Sequence, residues 1–309
     1  MKSLVGFTGF VGSNLADSAK FDALYNSKNI AEAYGSKTDL LVYAGVPATK
    51  YLANSAPNED LAVIRQAEEN IRKISPKKLV LISTIDVFPT PVEVYETTTP
   101  PENEEAYGKN RRELEIWVRD HYPDALIVRL PALYGMNLKK NFIYDMLHPI
   151  PFRLTEKLLV GFIKKEPQLS EYYHSCGNGF FERQKMDSIT EDKVEKIFGH
   201  LGFSSLNFTD SRNSYQFYPL NRLWSDISIA LEDNLTILHL ATEPVTAGEL
   251  YKELTGEIFI NEFNKTPAKY DYRTVHGKIF GQNGAYLMDK RAIIADIGNF
   301  IDSQKGRFV

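Results

Sequence analysis

Three glycines at a fixed spacing near the N-terminus narrow what this chain can fold into more than any other stretch. They lie in Leu4-Val5-Gly6-Phe7-Thr8-Gly9-Phe10-Val11-Gly12-Ser13-Asn14-Leu15. An apolar run enters them and a helix-compatible segment leaves, which predicts a buried strand, a tight turn and a helix start. Gly6 allows the turn, Gly9 lets a ligand approach the backbone, and Gly12 lets the helix lie close to the strand. The amides around Phe10 and Val11, with the dipole of the new helix, then attract phosphate. The spacing is G-x-x-G-x-x-G rather than the commoner G-x-G-x-x-G, so a plain glycine-rich turn is the alternative. A secretory signal is rejected, because glycines and a threonine interrupt the apolar run and Asp17 sits badly at a cleavage site.

The rest of the first half alternates strand and helix. Phe21 to Tyr25 reads as a second strand ending at Asn26-Ser27-Lys28, and Thr38 to Ala44 as a third, followed by Gly45. Only a short helix fits between these two. Pro57 opens a long helix with Leu61, Ile64, Ala67 and Ile71 on its apolar side. Lys78 to Ile82 is a continuous apolar strand of the kind buried in a parallel sheet, and it runs into Ser83-Thr84-Ile85-Asp86. A helix over 102–121 carries Tyr107, Arg111, Leu114 and Val118, and Ala125 to Leu130 is the next strand. This alternation predicts an α/β fold, a doubly wound parallel sheet (Rossmann fold) with a smaller, mainly C-terminal substrate lobe. Residues 1–135 are the expected dinucleotide-binding domain, with a return segment around 212–232, and 136–309 the mostly substrate-binding lobe. Helices are expected over 154–163, 191–200, 223–231 and 246–254, with strands over 236–241 and, returning to the sheet, 215–219.

Apolar residues make up 43% and charged residues 25% of the 309, an ordinary globular balance with room for a large core. A net charge of −4 leaves no electrostatic footprint for nucleic acid. The single cysteine, Cys176, excludes an intrachain disulfide and fits a reducing compartment. No apolar run approaches the roughly 20 residues of a membrane helix. A cytoplasmic protein is expected, with no nucleic-acid or membrane partner and a homodimer held open.

The glycine pattern, Ser83-Thr84 after the fourth strand with Val87-Phe88 following, and Tyr107-Gly108-Lys109-Asn110-Arg111 on the next helix occur in an order that resembles the extended short-chain dehydrogenases/reductases. Arg129-Leu130-Pro131 and Leu133-Tyr134-Gly135 extend the resemblance through the N-terminal half, and the C-terminal half matches loosely. Members with this layout are nucleotide-sugar epimerases, reductases and dehydratases. The resemblance implies an NAD- or NADP-dependent oxidoreductase or epimerase acting on a nucleotide-linked sugar. The expected cofactor contacts are Gly6, Gly9, Phe10, Val11, Gly12, Asn26, Ser27, Lys28, Ala44, Gly45, Ser83, Tyr107 and Arg111. No acid stands at the end of the second strand to bond a ribose, and Asn26, Ser27 and Lys28 suit a 2′-phosphate, a slight tilt toward NADP; a solvated turn is the alternative.

The residues also make chemical sense by themselves. Hydride transfer needs one group that moves a proton on or off an alcohol oxygen and another that fixes that oxygen. Tyr107 fits the first task if positive charge lowers its pKa, and Thr84, at the carboxyl end of a strand, fits the second. Two positions depart from the family. Arg111 stands where the family has lysine, four residues after the tyrosine, and is expected to supply the charge. Ile85 stands where dehydratases carry an acid, which disfavours that activity. Asp86 shares Thr84's face by strand alternation and is a candidate substrate contact, the alternative being a turn cap. Lys140, Asn141 and Arg212 are further substrate candidates. His174 and Cys176 lack a second ligand pair, so no metal is expected. The aromatics Tyr172, Tyr173, Phe180 and Phe181 suit core packing, a lid or an oligomer contact. The alternatives are a non-catalytic NAD(P)-binding regulator and a reductase of a small non-sugar carbonyl.

Overall fold

A computed structural model describes residues 1–177 and 179–305. The first half runs β1 (Lys2–Val5), α1 (Phe10–Ser18), β2 (Ala23–Tyr25), β3 (Leu40–Tyr43), α2 (Lys50–Ser55), α3 (Pro57–Ile74), β4 (Lys78–Thr84), α4 (Ala106–His121), β5 (Leu126–Leu130) and β6 (Ala132–Tyr134). It continues with α5 (Phe142–Leu147), β7 (Arg153–Thr155), α6 (Glu156–Ile163), β8 (Tyr173–Ser175), β9 (Phe180–Arg183) and α7 (Ser188–His200). The remainder is β10 (Ser214–Tyr215), β11 (Phe217–Pro219), α8 (Leu223–Glu232), β12 (Ile237–His239), β13 (Val245–Thr246), α9 (Ala247–Thr255) and α10 (Lys290–Lys305).

The chain divides into two units. The larger joins residues 1–138, 214–246 and 267–300, and the smaller joins 139–213, 247–266 and the chain from 301. The larger unit thus takes in more of the C-terminal half than a return segment at 212–232.

Six parallel strands in the order β12-β5-β4-β3-β1-β2 form the main sheet of the larger unit. Alternation along each strand sorts the core into two faces. Leu4, Val42, Val80, Leu126 and Val128 meet Leu15 of α1 and Leu223, Ile227 and Ala230 of α8. Val5, Leu41, Tyr43, Leu79, Leu81 and Ile127 meet Ile64, Ala67, Ile71 and Ile74 of α3 and Leu114 and Val118 of α4. Burying both faces explains why β4 reads as an unbroken apolar run. The sheet is the expected doubly wound one, and the abbreviated crossover between β2 and β3 is a single 3-10 turn at Ile30–Ala33.

Three local expectations differ. Helix α4 begins at Ala106, because the Asn103 side chain accepts the Glu105 amide at 3.0 Å and turns the chain first. Leu154 and Thr155 lie in strand β7, because the Thr155 hydroxyl accepts the Leu158 amide at 3.3 Å and caps α6 after the strand. Residues 214–219 do not rejoin the main sheet. They split into β10, antiparallel to β13, and β11, parallel to β6, while β12 takes the place beside β5.

In the smaller unit an antiparallel sheet β7-β9-β8 packs Leu154 and Tyr173 against Leu159 of α6 and Val194, Ile197 and Phe198 of α7. The buried Asp210 carboxylate binds the Arg212 guanidinium at 2.8 Å and the amides of Phe263 and Asn264 at 3.0 and 2.9 Å, tying two sequence-distant segments.

Candidate active site

The glycine turn has the geometry its sequence requires. Gly6 has φ +92°, and a Cβ there would stand 2.4 Å from the Ala44 carbonyl oxygen at the end of β3. At Gly12 a Cβ would stand 2.0 Å from the Gly6 carbonyl oxygen, so the helix can approach only without one. Gly9 differs: a Cβ there meets nothing closer than the Gly6 oxygen at 3.3 Å. It is the N-cap of α1 and offers no side-chain cap. The first intrahelical bond is from Ser13 to Gly9, so the amides of Phe10, Val11 and Gly12 precede the helical ladder. This turn can receive a pyrophosphate.

At the end of β2, Asn26 is committed to the turn. Its amide donates to Asn29 Oδ1 at 2.8 Å and its own Oδ1 takes the Lys28 amide at 2.9 Å. The exposed Ser27 and Lys28 side chains stand beside it, in the stretch expected to meet a 2′-phosphate. Ala44 and Gly45 close the opposite side of the glycine turn, at the end of β3.

Thr84, the last residue of β4, lines a pocket together with Asp86, Pro131, Tyr215, Gln216 and Tyr270. Asp86 is in that pocket, though not by strand alternation. The strand ends at Thr84, whose hydroxyl accepts the Asp86 amide at 3.1 Å and starts a 3-10 turn. The Asp86 carboxylate accepts the Tyr270 hydroxyl at 2.9 Å and faces the Lys50 ammonium at 3.6 Å. Ser83 is corrected. It points to the other side of β4 and donates to Glu115 Oε1 at 2.7 Å. Glu115, fully buried, also binds Arg129 at 2.6 and 3.0 Å, and Arg129 reaches His239 Nε2 at 3.1 Å. Burial, opposed by Glu96, pushes the His239 imidazole down to about 4.

Tyr107 is buried on α4, where Gly108 lets the helix touch the Asp86 carbonyl. The expected fall in its pKa is not found. Burial pushes the phenol up and the Asp86 carboxylate adds to this, outweighing Arg111, the Thr84 hydroxyl and Lys50, which pull it down. Arg111 is the strongest of the downward influences, but it is not devoted to the phenol. Its guanidinium lies 3.9 Å from the Tyr107 ring centroid, yet Asp60 takes it at 2.7 and 3.0 Å. The Pro47 and Tyr107 carbonyls take two further N–H bonds, at 2.6 and 3.1 Å. The charge expected to serve the phenol is shared with Asp60, and four of the donors expected to reach a cofactor are occupied. Lys50, the first residue of α2, is a cation of this site that the sequence reading missed; it pairs with Glu105 at 3.2 Å as well as with Asp86. No local pattern marks it, because it acts across the end of the sheet.

The remaining candidates lie in the smaller unit. Asn141, with φ +113°, caps α5 by accepting the Tyr144 amide at 3.1 Å, and Lys140 beside it is exposed. Arg212 is held by Asp210, by Glu262 at 3.2 Å and by the Asn264 carbonyl at 2.8 Å, so its donors are largely spent within the unit. A titratable group the sequence did not flag is Asp145 of α5, whose carboxyl burial pushes up to about 7.

Residues 4–155 match the family described as the RmlD substrate binding domain. The matched stretch holds the glycine turn, Thr84, Tyr107 and Arg111. The chain is similar in fold to the dTDP-4-dehydrorhamnose reductase of Bacillus anthracis solved with NADP, with TM-score 0.63 and 14% identity over 98% of this chain and 99% of that one. The UDP-glucose 4-epimerase of Thermotoga maritima, solved with UDP-glucose, gives TM-score 0.62 and 14% identity over the whole of both chains. RMD from Pseudomonas aeruginosa, solved with NADPH, gives 0.57 and 13% over 97% and 99%. A comparison with curated protein sequences finds no match. No helix among the described residues is long and apolar enough to cross a membrane.

Proposed function

We propose that this chain is a short-chain dehydrogenase/reductase that reduces the carbonyl of a nucleotide-linked keto-sugar, using NADP in its reduced form. The observation that carries the direction is the buried Tyr107 phenol set against the Thr84 hydroxyl, where burial keeps its proton on. A phenol that holds its proton at neutral pH is suited to give it to an oxygen that gains negative charge, and ill suited to take one from an alcohol. A reduced nicotinamide, when bound, supplies hydride to the carbonyl carbon. Thr84 fixes the carbonyl oxygen at the pocket edge, and Tyr107 donates its proton to that oxygen, leaving an alcohol. The glycine turn fits the pyrophosphate, and Ser27 and Lys28 suit a 2′-phosphate. The RmlD match and the fold likeness to a dTDP-4-dehydrorhamnose reductase solved with NADP support the substrate class and the cofactor. Epimerisation is less well served, because it begins by removing a hydroxyl proton.

Pairing of Arg111 with Asp60 favours a second reading, a dinucleotide-binding regulator without turnover. One experiment separates the two. The chain is incubated with NADPH and a panel of dTDP- and UDP-linked keto-sugars, and NADPH loss and reduced product are followed. Reduction, depressed about 10²–10⁴-fold in Tyr107→Phe, supports the reductase. Dinucleotide binding without turnover on the whole panel moves the assignment to the regulator.

A further inference from the structure

The smaller unit carries a cluster of ligating side chains that the proposed reduction does not use. His174 and Cys176 alone lack a second ligand pair, but folding adds Glu182 from the neighbouring strand. The Nδ1 or Nε2 of His174, the Sγ of Cys176 and a carboxylate oxygen of Glu182 all lie within 4.8 Å of one another. Strand register explains the meeting. His174 stands directly opposite Glu182 in the antiparallel β8–β9 pair, and Cys176, whose amide donates to the Phe180 carbonyl, continues the same pairing two residues on. Period-two alternation therefore puts all three side chains on one face. The other face carries Leu154 and Tyr173 into the core, so this one is the solvent side.

The carboxylate is oriented for the task. Arg153, opposite Glu182 on β7, donates from both Nε and a terminal nitrogen to the same oxygen, Oε1. An outer partner that fixes one oxygen of a carboxylate while the other binds is a recurrent feature of metal sites. One nitrogen, one sulfur and one oxygen donor match the preference of zinc, and a fourth, open position suits water. A contraction of about an ångström would bring the donors to bonds of about 2.0–2.3 Å. With thiolate and carboxylate both ionised, the site neutralises a divalent ion.

We propose that His174, Cys176 and Glu182 form a zinc-type divalent metal site on the solvent face of the β7-β9-β8 sheet, with Arg153 as the residue that orients Glu182. The site is independent of the reductase reading and is tested without activity. The untagged full chain, stripped with chelator, is titrated with Co²⁺ and then with Zn²⁺. One cobalt per chain is expected, with a thiolate-to-cobalt charge-transfer band that zinc abolishes. Cys176→Ser should remove the band, His174→Ala and Glu182→Gln should each abolish tight binding, and Arg153→Ala should weaken it about 10–100-fold. All four changes are on the solvent face, and circular dichroism verifies that each variant folds. A parent chain with no charge-transfer band, or His174→Ala and Glu182→Gln variants that bind cobalt as the parent does, would overturn the assignment.

Discussion

Asp60 on α3 holds the Arg111 guanidinium through both carboxylate oxygens, at 2.7 and 3.0 Å, with the two side chains only 10% and 5% exposed. An arginine at the family's lysine position thus serves first as the partner of a buried acid and as a lid on the Tyr107 ring. Truncating one member of a buried pair leaves the other charge uncompensated, at a cost of about 3–5 kcal/mol. Arg111→Ala should therefore lower the denaturant midpoint markedly, whereas Arg111→Lys, which keeps a charge for Asp60, should lose much less. Equal midpoints for parent and Arg111→Ala would remove this structural role.

The same pair governs the expected pH profile. Reduction needs a protonated Tyr107, so the rate falls as pH rises through the phenol pKa. Burial and Asp86 hold that pKa above its ordinary value. Replacing Asp60 by Asn uncovers the Arg111 charge and pulls the phenol down, so the fall in rate should begin at lower pH. A profile that stays put in Asp60→Asn would show that Arg111 does not reach the phenol electrostatically.

Gly9 and Gly12 should separate binding from folding. A side chain at Gly12 would press on the Gly6 carbonyl at 2.0 Å, so Gly12→Ala should destabilise the unit. At Gly9 the only close neighbour is 3.3 Å away, so Gly9→Val should fold and lose the dinucleotide. Thermal unfolding with and without NADPH distinguishes them, since a ligand that binds raises the midpoint by mass action.

Lys28→Ala should narrow the preference for NADP over NAD by about one to two decades, the worth of a charge-assisted contact of roughly 1.5–3 kcal/mol. Titrating both dinucleotides decides it; an unchanged ratio would assign the 2′-phosphate elsewhere.

Two poorly solvated groups should tilt stability against pH in opposite senses. His239 is neutral when folded, its pKa pushed down to about 4, whereas an unfolded histidine titrates near about 6.5. The unfolded chain binds the extra proton below that value, so this stability is present above it and is lost as pH falls toward 4. Asp145 behaves conversely. Its folded pKa is raised to about 7 against about 3.9 unfolded, so the native state binds the extra proton and stability drops as pH rises through that window. Each slope is at most about 1.4 kcal/mol per pH unit. Denaturant titrations from pH 4 to 8 should show a shallower acid-side loss in His239→Gln and a shallower neutral-side loss in Asp145→Asn.

What the sequence made legible was local. The glycine turn, the apolar strand into Thr84 and the spacing of Tyr107 on its helix depend on neighbours within a few positions, and periodicity carries them. Asp60 and Arg111 are far apart in sequence, as are Lys50 and Asp86, and no pattern in either segment announces the pairing. Glu182 joins His174 only through a strand register that sequence leaves open. Ser83 is a different case. Adjacent residues of one strand face opposite ways, so alternation alone puts the Ser83 and Thr84 side chains on opposite sides of β4. The extent of the larger unit depends on β12 and on residues 267–300, which lie beyond the stretch where the family motifs run.

The order of strands in the main sheet has a consequence for synthesis. β5 is finished at Leu130, but its outer neighbour β12 begins only at Ile237. Between those points the nascent chain carries an apolar strand with an unpaired edge, while the smaller unit's first segment is being made. Such an edge is a template for pairing with other chains. A ribosome that stalls, or a message truncated, before residue 237 would release a chain with this edge bare, so yield of soluble protein should depend on how quickly translation crosses that interval.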